Sequence, residues 1–343
     1  MKNPYTISFG KEPTQLVSRI AQINKIVDDF SEEEPSYQAC IISGVRGIGK
    51  TVTLSEICNR LNEDKNWIVI NLNSGMDLLH SLAAKLYNCK PLLGLFDNAN
   101  INLSFFNIGI ALKTAPPITD IETALERMFE VIKEKNQKVL IAIDEVISND
   151  NMKIFSNTFQ LLLREKMPVY LLMTGLYENI SDLQNSDNVT FLLRTPRLEL
   201  EPLNKIMMAE SYRQNLNISK EASLKMADTT CGYPFAFQVL GYLCYESKKE
   251  YTEELVRFDY YLNEYVYNKI WSELSEKDKS LVIAIAKSNY TTEDIMKLCN
   301  MKKNEFSVYR DRLIKKGIIN GKVRGQIAFT LPRFKEFVEL YME

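Results

Sequence analysis

The chain has 343 residues, 45% hydrophobic and 25% charged, an ordinary balance for a globular protein of about two or three domains. Its net charge of −2 excludes an overall basic character as a reason to bind nucleic acid or membrane surfaces. One histidine and six cysteines, none in a Cys-x-x-Cys pair, argue against a His/Cys zinc site or a histidine-based triad. Because the sequence shows neither a signal core nor an apolar run of membrane length, we expect a soluble cytoplasmic protein with no membrane partner.

The first elements along the chain are a helix, a strand and a second helix. Apolar residues recur at helical spacing from about residue 14 to residue 30, and an acidic linker follows. The apolar run Ala39–Ser43 predicts a buried strand, and Val52 begins a helical pattern that extends to about Leu61.

Residues 44–51, between that strand and that helix, read Gly-Val-Arg-Gly-Ile-Gly-Lys-Thr, which is the P-loop pattern. A glycine-rich turn before a helix directs backbone N–H groups and the positive helix end at an anion. We therefore predict a site for ATP or ADP, with Lys50 at the β- and γ-phosphates and the Thr51 hydroxyl on Mg²⁺. The predicted nucleotide-binding residues of this stretch are Gly44, Val45, Arg46, Gly47, Ile48, Gly49, Lys50, Thr51 and Val52.

The next section, after a predicted strand at 67–72 and a helix at 76–87, is unusual for a P-loop core. In residues 98–113, apolar side chains alternate with polar or small ones, with a one-residue shift between Phe105 and Phe106. A period of two predicts strands, so we expect an inserted β-hairpin here. A loop insertion with no separate function is the alternative.

A second nucleotide motif is predicted after the helix at 120–135. The apolar run from Val139 to Ile143 ends in Asp144 and Glu145, the pattern that follows a P-loop in ATPases. Asp144 is expected to hold Mg²⁺ through water, and Glu145 to polarise the water that attacks the γ-phosphate.

Two more strands complete the predicted core, one at 169–175 after a helix near 155–165, and a short one within 191–200. Five strands interleaved with helices predict an α/β fold with a parallel sheet covered on both faces. Thr174 lies at the carboxyl end of its strand, where open α/β sheets bind ligands. We assign residues 1–202 to this P-loop ATPase core.

After residue 202, the alternation of predicted strands and helices ends. Residues 203–268 show helical spacing without a convincing strand and are assigned to a helical lid domain. Residues 269–343 are assigned to a winged helix-turn-helix domain, with paired helices at 292–299 and 303–316. Two short strands, at 318–319 and 327–331, enclose the basic tip of the wing.

The winged-helix domain carries a local excess of positive charge. Eight Lys or Arg residues stand against two acidic residues between positions 302 and 324. Charge gathered on one helix and a wing tip favours contact with DNA phosphates. The predicted DNA-binding residues are Lys303, Asn304, Ser307, Arg312, Lys322 and Arg324. A solvated basic surface, or a hinge against the ATPase core, is the alternative.

With these motifs, the chain resembles the bacterial and archaeal AAA+/STAND-type ATPases that are grouped with the origin-recognition, initiator-like ATPases. The resemblance covers nearly the whole chain. It implies that Leu16 and Val17 belong to an N-terminal box at the adenine, although Ser18 replaces the glycine of that box. It also implies that Thr174 is the sensor 1 residue that reads the γ-phosphate. Pro234, in Gly-Tyr-Pro, would then pack against the adenine.

The same resemblance makes Arg194 a candidate arginine finger that completes the site of a neighbouring copy, with Arg197 as the second candidate. Such a finger implies a homo-oligomer on ATP binding, whereas a plain surface charge implies none. Initiators usually carry a sensor arginine near the position of Pro234, and this chain has none there. That departure favours a STAND-like switch over an origin initiator.

These features predict an ATP-hydrolysing switch that couples its nucleotide state to double-stranded DNA through the winged helix. Two alternatives remain open. One is a STAND-type signalling or defence regulator whose winged helix and insertion bind protein. The other is a nucleotide-binding protein with negligible turnover.

Overall fold

The computed structural model describes residues 2–7, 17, 19–186, 189–288, 291–321 and 327–341. The chain divides into two compact units. The first comprises Met1–Arg19, Gly44–Gly49 and Leu200–Glu343, and the second comprises Ile20–Ser43 and Lys50–Glu199.

The second unit is built on a parallel sheet of five strands, as the sequence predicts. The strands are β1 (Ala39–Ser43), β2 (Trp67–Asn73), β3 (Lys138–Asp144), β4 (Val169–Gly175) and β5 (Arg197–Glu199), in the order β2-β3-β4-β1-β5. Strands β1 and β4 are buried along their whole length, which explains their continuous apolar runs. Ile143 pairs with Met173, and Thr174 pairs with Ile42, so the carboxyl ends of β1, β3 and β4 meet at one edge.

Helices surround this sheet. They are α1 (Ile20–Ser31), α2 (Lys50–Asn62), α3 (Leu78–Tyr87), α4 (Leu95–Asn98), α5 (Ile121–Glu134), α6 (Asp150–Arg164) and α7 (Tyr177–Gln184). The side chains of Asp77, Asp120 and Asn149 accept hydrogen bonds from backbone N–H groups in the first turns of α3, α5 and α6. These N-caps explain why the three helices begin where they do. Helix α1 begins after Arg19, later than the periodicity indicates.

The predicted β-hairpin at 98–113 is wrong, because these residues contain no strand: α4 ends at Asn98, and a short 3-10 helix follows at Ser104–Phe106. Burial does not follow the alternation: Ile101 and Leu103 pack in the core of the second unit, but Asn102 between them is also buried, and Phe105 and Ile110 are exposed. The backbone is held by a side chain instead of a strand partner. Asn102 Nδ2 donates to the carbonyls of Leu112 and Ala115, at 3.2 and 2.8 Å. Local hydrogen bonds of this kind compete with a strand ladder.

The first unit is mainly helical, and its described residues between 203 and 268 contain no strand, as predicted. Its helices there are α8 (Lys205–Leu216), α9 (Lys220–Thr229), α10 (Pro234–Ser247), α11 (Leu255–Leu262) and α12 (Asn268–Ser272), with a π-helical turn at Asn263–Tyr267. The N-terminal Tyr5 is buried in this unit, with its ring centroid 5.8 Å from that of Tyr212 and 5.6 Å from that of Phe237.

The C-terminal part of the first unit fits a winged-helix domain. It contains α13 (Glu276–Lys287), α14 (Thr292–Leu298), α15 (Lys303–Lys315), β6 (Ile319–Asn320), β7 (Ala328–Phe329) and α16 (Phe334–Glu339). Strands β6 and β7 pair antiparallel, close to the two strands that the sequence predicts. Helix α16 is too short for its periodicity to be detected, and its Phe334 and Phe337 pack on the ring of Tyr267. None of the helices described has both the length and the apolar content needed to cross a bilayer.

Candidate functional site

A cluster of polar side chains lies in the second unit, where β3 and β4 end and α2 begins. Asp144 is the last residue of β3. Its Oδ2 accepts a hydrogen bond from Thr51 Oγ1 at 2.8 Å, and its Oδ1 accepts one from the Thr174 hydroxyl. The structure therefore brings the two predicted Mg²⁺ ligands, Thr51 and Asp144, into direct contact. Thr174 joins them because β3 and β4 pair in register.

The oxygen atoms of this cluster fit Mg²⁺. That ion is usually held by one or two carboxylates together with water and substrate phosphates. The half-buried Asp144 carboxylate and the exposed Thr51 hydroxyl supply oxygen ligands of this type. Thr51 is also in the first turn of α2, between Lys50 and Val52, and the N-terminus of a helix favours phosphate. Lys50 is largely buried, with 9% of its surface exposed.

The predicted catalytic base, Glu145, is exposed and has a left-handed backbone, with a φ of 51°. This conformation is uncommon outside glycine, and two hydrogen bonds hold it here. Its N–H donates to Thr174 Oγ1 at 2.9 Å, and its carbonyl accepts from Ser74 Oγ at 3.1 Å. The carbonyl of Ser74 in turn accepts from Asn149 Nδ2 at 2.9 Å. Ser74 was not predicted, and its only signal in the sequence is its position just after β2.

Thr174 is fully buried, and its hydroxyl is used twice within the second unit. It donates to Asp144 and accepts from the Glu145 N–H, so it joins the two acidic residues. The structure therefore shows Thr174 as an organiser of this motif. Its role as a sensor of the γ-phosphate stays a prediction.

The remaining P-loop residues, Gly44–Gly49, belong to the first unit and form what we call the P-loop arc. Gly47 and Gly49 have φ values of 74° and 93°, which L side chains rarely adopt. A Cβ on Gly49 would lie 3.7 Å from Pro234 Cγ, so this glycine and the predicted adenine-packing proline are neighbours. Pro234 is the first residue of α10, where its fixed φ suits a helix start.

Two side chains that the sequence did not identify contact the carbonyls of the arc. The Tyr233 hydroxyl donates to the Arg46 carbonyl, and Arg19 Nη2 donates to the Ile48 carbonyl at 3.0 Å. Burial raises the pKa of Tyr233, so its hydroxyl keeps the proton that it donates. Burial lowers the pKa of Arg19 to about 10, and the Glu201 carboxylate acts against that shift, so Arg19 stays charged at neutral pH. In the sequence, Arg19 directly follows Ser18 of the N-terminal box, and Tyr233 is the middle residue of the Gly-Tyr-Pro segment, so both lie in or beside predicted motifs.

The arc also contacts the C-terminal part of the first unit. Arg46 Nη2 lies 3.0 Å from Glu273 Oε1 in an ion pair, and Lys269 Nζ lies 3.4 Å from the same oxygen. A Cβ on Gly317 would lie 3.4 Å from Val45 Cβ. Glu273 precedes α13 and Gly317 follows α15. The side chain of Arg46 is therefore directed to the C-terminal part of the first unit, and its contact with a nucleotide stays a prediction.

Of the predicted adenine box, Leu16 and Ser18 lie outside the residues that the structure describes. Val17 is described and is buried, with 7% of its surface exposed. The contact of this box with adenine stays a prediction.

The two candidate finger residues differ in their surroundings within the second unit. Arg197 donates to Gln184 Oε1, and its guanidinium carbon lies 5.9 Å from the centre of the Tyr177 ring. Arg194 is exposed at the end of the 3-10 segment Thr190–Arg194, and it forms no ion pair with any residue that the structure describes. Its side chain is the more available of the two.

Three of the predicted DNA-binding residues, Lys303, Asn304 and Ser307, are exposed on α15. Arg312 is engaged within the domain: its Nε donates to Asp278 Oδ1 at 2.9 Å, and the Asp278 side chain is buried. Loss of the partner of a buried carboxylate is strongly destabilising, so Arg312 stabilises the packing of α15 on α13. Its contact with DNA stays a prediction. The predicted wing residues Lys322 and Arg324 lie outside the described ranges.

Known protein families and curated proteins say little about the residues of this site. A family described as a domain of unknown function (DUF8462) matches residues 264–338, which overlap the predicted winged-helix domain. A search of curated proteins found no match.

Solved structures show the same fold at low sequence identity. The Walker-type ATPase PABY2304 of Pyrococcus abyssi is 14% identical, with a TM-score of 0.62 over 94% of this chain and 96% of that one. The ORC2 protein of Aeropyrum pernix, solved as ADPNP–ADP complexes, is 13% identical, with a TM-score of 0.59 over 97% and 96%. Cdc6p from Pyrobaculum aerophilum is 15% identical, with a TM-score of 0.50 over 98% and 96%.

The chain therefore has the AAA+ fold of the archaeal Orc/Cdc6 ATPases. This confirms the predicted P-loop α/β fold class, and the resemblance to origin-recognition-like ATPases is confirmed at the level of fold. The STAND part of the resemblance gains no support from these structures, and the STAND-type regulator is not favoured.

Proposed function

We propose that this protein is a Mg²⁺-dependent ATPase whose slow hydrolysis of ATP switches the binding of double-stranded DNA by its winged-helix domain. The observation that carries this proposal is the ion pair of Arg46 with Glu273, together with the close approach of Gly317 to Val45. They join the P-loop arc to residues just before α13 and just after α15. A change of nucleotide at this loop would act through these contacts on the helices that carry the DNA-binding face.

The chemistry of the proposed site follows from four side chains. Lys50 binds phosphate oxygens, and Thr51 and Asp144 hold the ion. Mg²⁺, when bound, neutralises charge on the β- and γ-phosphates. Glu145 orients a water molecule and accepts its proton. The backbone of Glu145 is held on both sides by Thr174 and Ser74, which favours a fixed base over a mobile surface carboxylate.

The proposed DNA surface is the exposed face of α15, with Lys303, Asn304 and Ser307 on it. Because the chain as a whole carries a charge of −2, the positive balance around this helix is a local property. Neutralised phosphates release counterions, so affinity should fall steeply with salt. Arg194 would reach the nucleotide site of a second copy, which would make assembly depend on ATP.

The proposal is tested by gel-shift measurements on a ~30-base-pair duplex, in ATP and in ADP, over ~50–200 mM salt. We expect one nucleotide to bind DNA several-fold more tightly than the other. Lys303→Glu should weaken binding and lower the salt slope by about two, because one contact is lost and a like charge is added. The exposed Lys65→Glu, on the second unit, is the matched control. No binding at the lowest salt in either nucleotide overturns the DNA assignment.

A further inference from the structure

The P-loop arc is held at two alternate peptide groups. The carbonyl of Arg46 accepts from the Tyr233 hydroxyl, and the carbonyl of Ile48 accepts from Arg19 Nη2 at 3.0 Å. Each donor comes from a distant part of the first unit, Tyr233 from the end of the loop before α10 and Arg19 from the segment before α1.

These two hydrogen bonds also set the direction of two N–H groups. In a planar trans peptide the C=O and N–H point to opposite sides. The peptide that carries the Arg46 carbonyl ends in the Gly47 N–H, and the one that carries the Ile48 carbonyl ends in the Gly49 N–H. Each carbonyl is directed at its donor, so the Gly47 N–H points away from Tyr233 and the Gly49 N–H points away from Arg19. In a P-loop, backbone N–H groups of this kind receive phosphate.

Both donors are themselves rigidly placed. Tyr233 is 2% exposed, and a Cβ on Gly47 would lie 2.2 Å from its hydroxyl oxygen, so only glycine admits this contact. Arg19 is braced from the other side, because its Nε and Nη2 both donate to the Glu201 carbonyl, at 3.0 and 2.8 Å.

We propose that Tyr233 and Arg19 are positioning residues that hold the P-loop in its phosphate-binding conformation before a nucleotide arrives. This inference rests on the proposed nucleotide site and adds the residues that preorganise it. A glycine-rich loop loses conformational entropy when it becomes ordered around a ligand. If the loop is already ordered, less of the binding free energy is lost in this way.

Tyr233→Phe tests the proposal because it removes only the hydroxyl. We expect ATP, ADP and inorganic pyrophosphate each to bind about 3- to 10-fold more weakly, the loss typical of one hydrogen bond. Pyrophosphate is included because it contains no adenine, so its affinity depends on the P-loop and not on the adenine pocket. Tyr212→Phe is the matched control: its buried hydroxyl donates to the Phe237 carbonyl at 2.8 Å, away from the arc. It should leave all three affinities unchanged.

Hydrogen exchange of the nucleotide-free protein gives a second, independent measurement. Amides of residues 44–49 should exchange faster in Tyr233→Phe than in the wild type, and those of the central strands β1 and β4 should not. Arg19→Lys, which keeps the charge but loses the fork of donors, should act in the same direction.

The outcomes separate the two proposals. Unchanged exchange and unchanged affinities in both Tyr233→Phe and Arg19→Lys overturn the positioning role alone. Failure of the wild type to bind ATP, ADP or pyrophosphate overturns the proposed function, whatever the exchange shows. Equal losses in Tyr233→Phe and Tyr212→Phe also overturn the positioning role, because a general effect on folding would then explain both.

Discussion

In the second unit, Thr51, Asp144 and Thr174 form what we call the Asp144 cluster. This cluster and the P-loop arc of the first unit are held by different kinds of contact. In the cluster, a side chain is the common acceptor: Thr51 and Thr174 both donate to the Asp144 carboxylate. In the arc, side chains bind the backbone, as Tyr233 does at the Arg46 carbonyl. The cluster thus places reactive groups, whereas the arc shapes a binding surface. We expect changes in the cluster to alter turnover and changes in the arc to alter affinity or coupling.

Glu145→Gln should have the largest effect on turnover. It tests most directly whether a change beside the cluster alters turnover and leaves affinity intact. Because the amide cannot accept the proton of water, we expect turnover to fall by about 100- to 10,000-fold. ATP affinity should change little, since Glu145 is not expected to hold phosphate. Steady-state phosphate release and equilibrium binding of labelled ATP measure the two quantities. Glu130→Gln, on the exposed side of α5, is the control, and normal turnover in Glu145→Gln would remove the assigned base.

Lys50→Ala should alter both affinity and turnover. Lys50 begins the helix that follows the arc, and it is also expected to bind the β- and γ-phosphates. Loss of a charge-assisted contact to phosphate should weaken ATP binding by roughly 10- to 100-fold. Turnover should be lost as well. Titration calorimetry and phosphate release measure these effects. Lys65→Ala is the control on the exposed surface of the same unit. Retention of full ATP affinity in Lys50→Ala would contradict the P-loop assignment.

Thr174→Val should lower turnover by about 10-fold while ATP stays bound. The change leaves a carboxylate oxygen of Asp144 and the N–H of Glu145 without their buried partner. The measurement is kcat together with the Kd for ATP. Thr158→Val is the matched control, because its buried hydroxyl donates to Glu122 Oε1 at 2.6 Å, on a helix away from the cluster. An equal fall in kcat in both variants would argue against a positioning role for Thr174.

Glu273→Gln should give the smallest effect, because its ion pair with Arg46 is partly exposed and such pairs contribute little. We expect ATP affinity to stay within about twofold, and the ratio of DNA affinities in ATP and ADP to change by about two- to fivefold. Anisotropy of a labelled duplex measures that ratio. Glu276→Gln, whose partner is Lys279 in the same domain, is the control. An unchanged ratio would remove this ion pair from the coupling.

The sequence predicts the strands and the nucleotide motifs because each of them is a local pattern in the chain. The apolar runs of β1, β3 and β4 predict buried parallel strands, because strands covered on both faces are apolar almost throughout. The P-loop and the Asp144–Glu145 pair are contiguous motifs, so their approximate place at the ends of strands follows from the chain itself. The 98–113 segment shows the limit: its alternation predicted a hairpin, whereas Asn102 is buried and bonds the backbone of the segment, and Phe105 and Ile110 are exposed.

The residues that hold the site were decided by tertiary structure. Arg19, Tyr233 and Glu273 lie far from the P-loop in the chain, and their partners are mostly backbone carbonyls, which every residue has. No sequence pattern distinguishes one carbonyl from another. The motifs therefore identify which groups meet a phosphate, whereas only the packing of distant segments determines how those groups are oriented and what they are connected to.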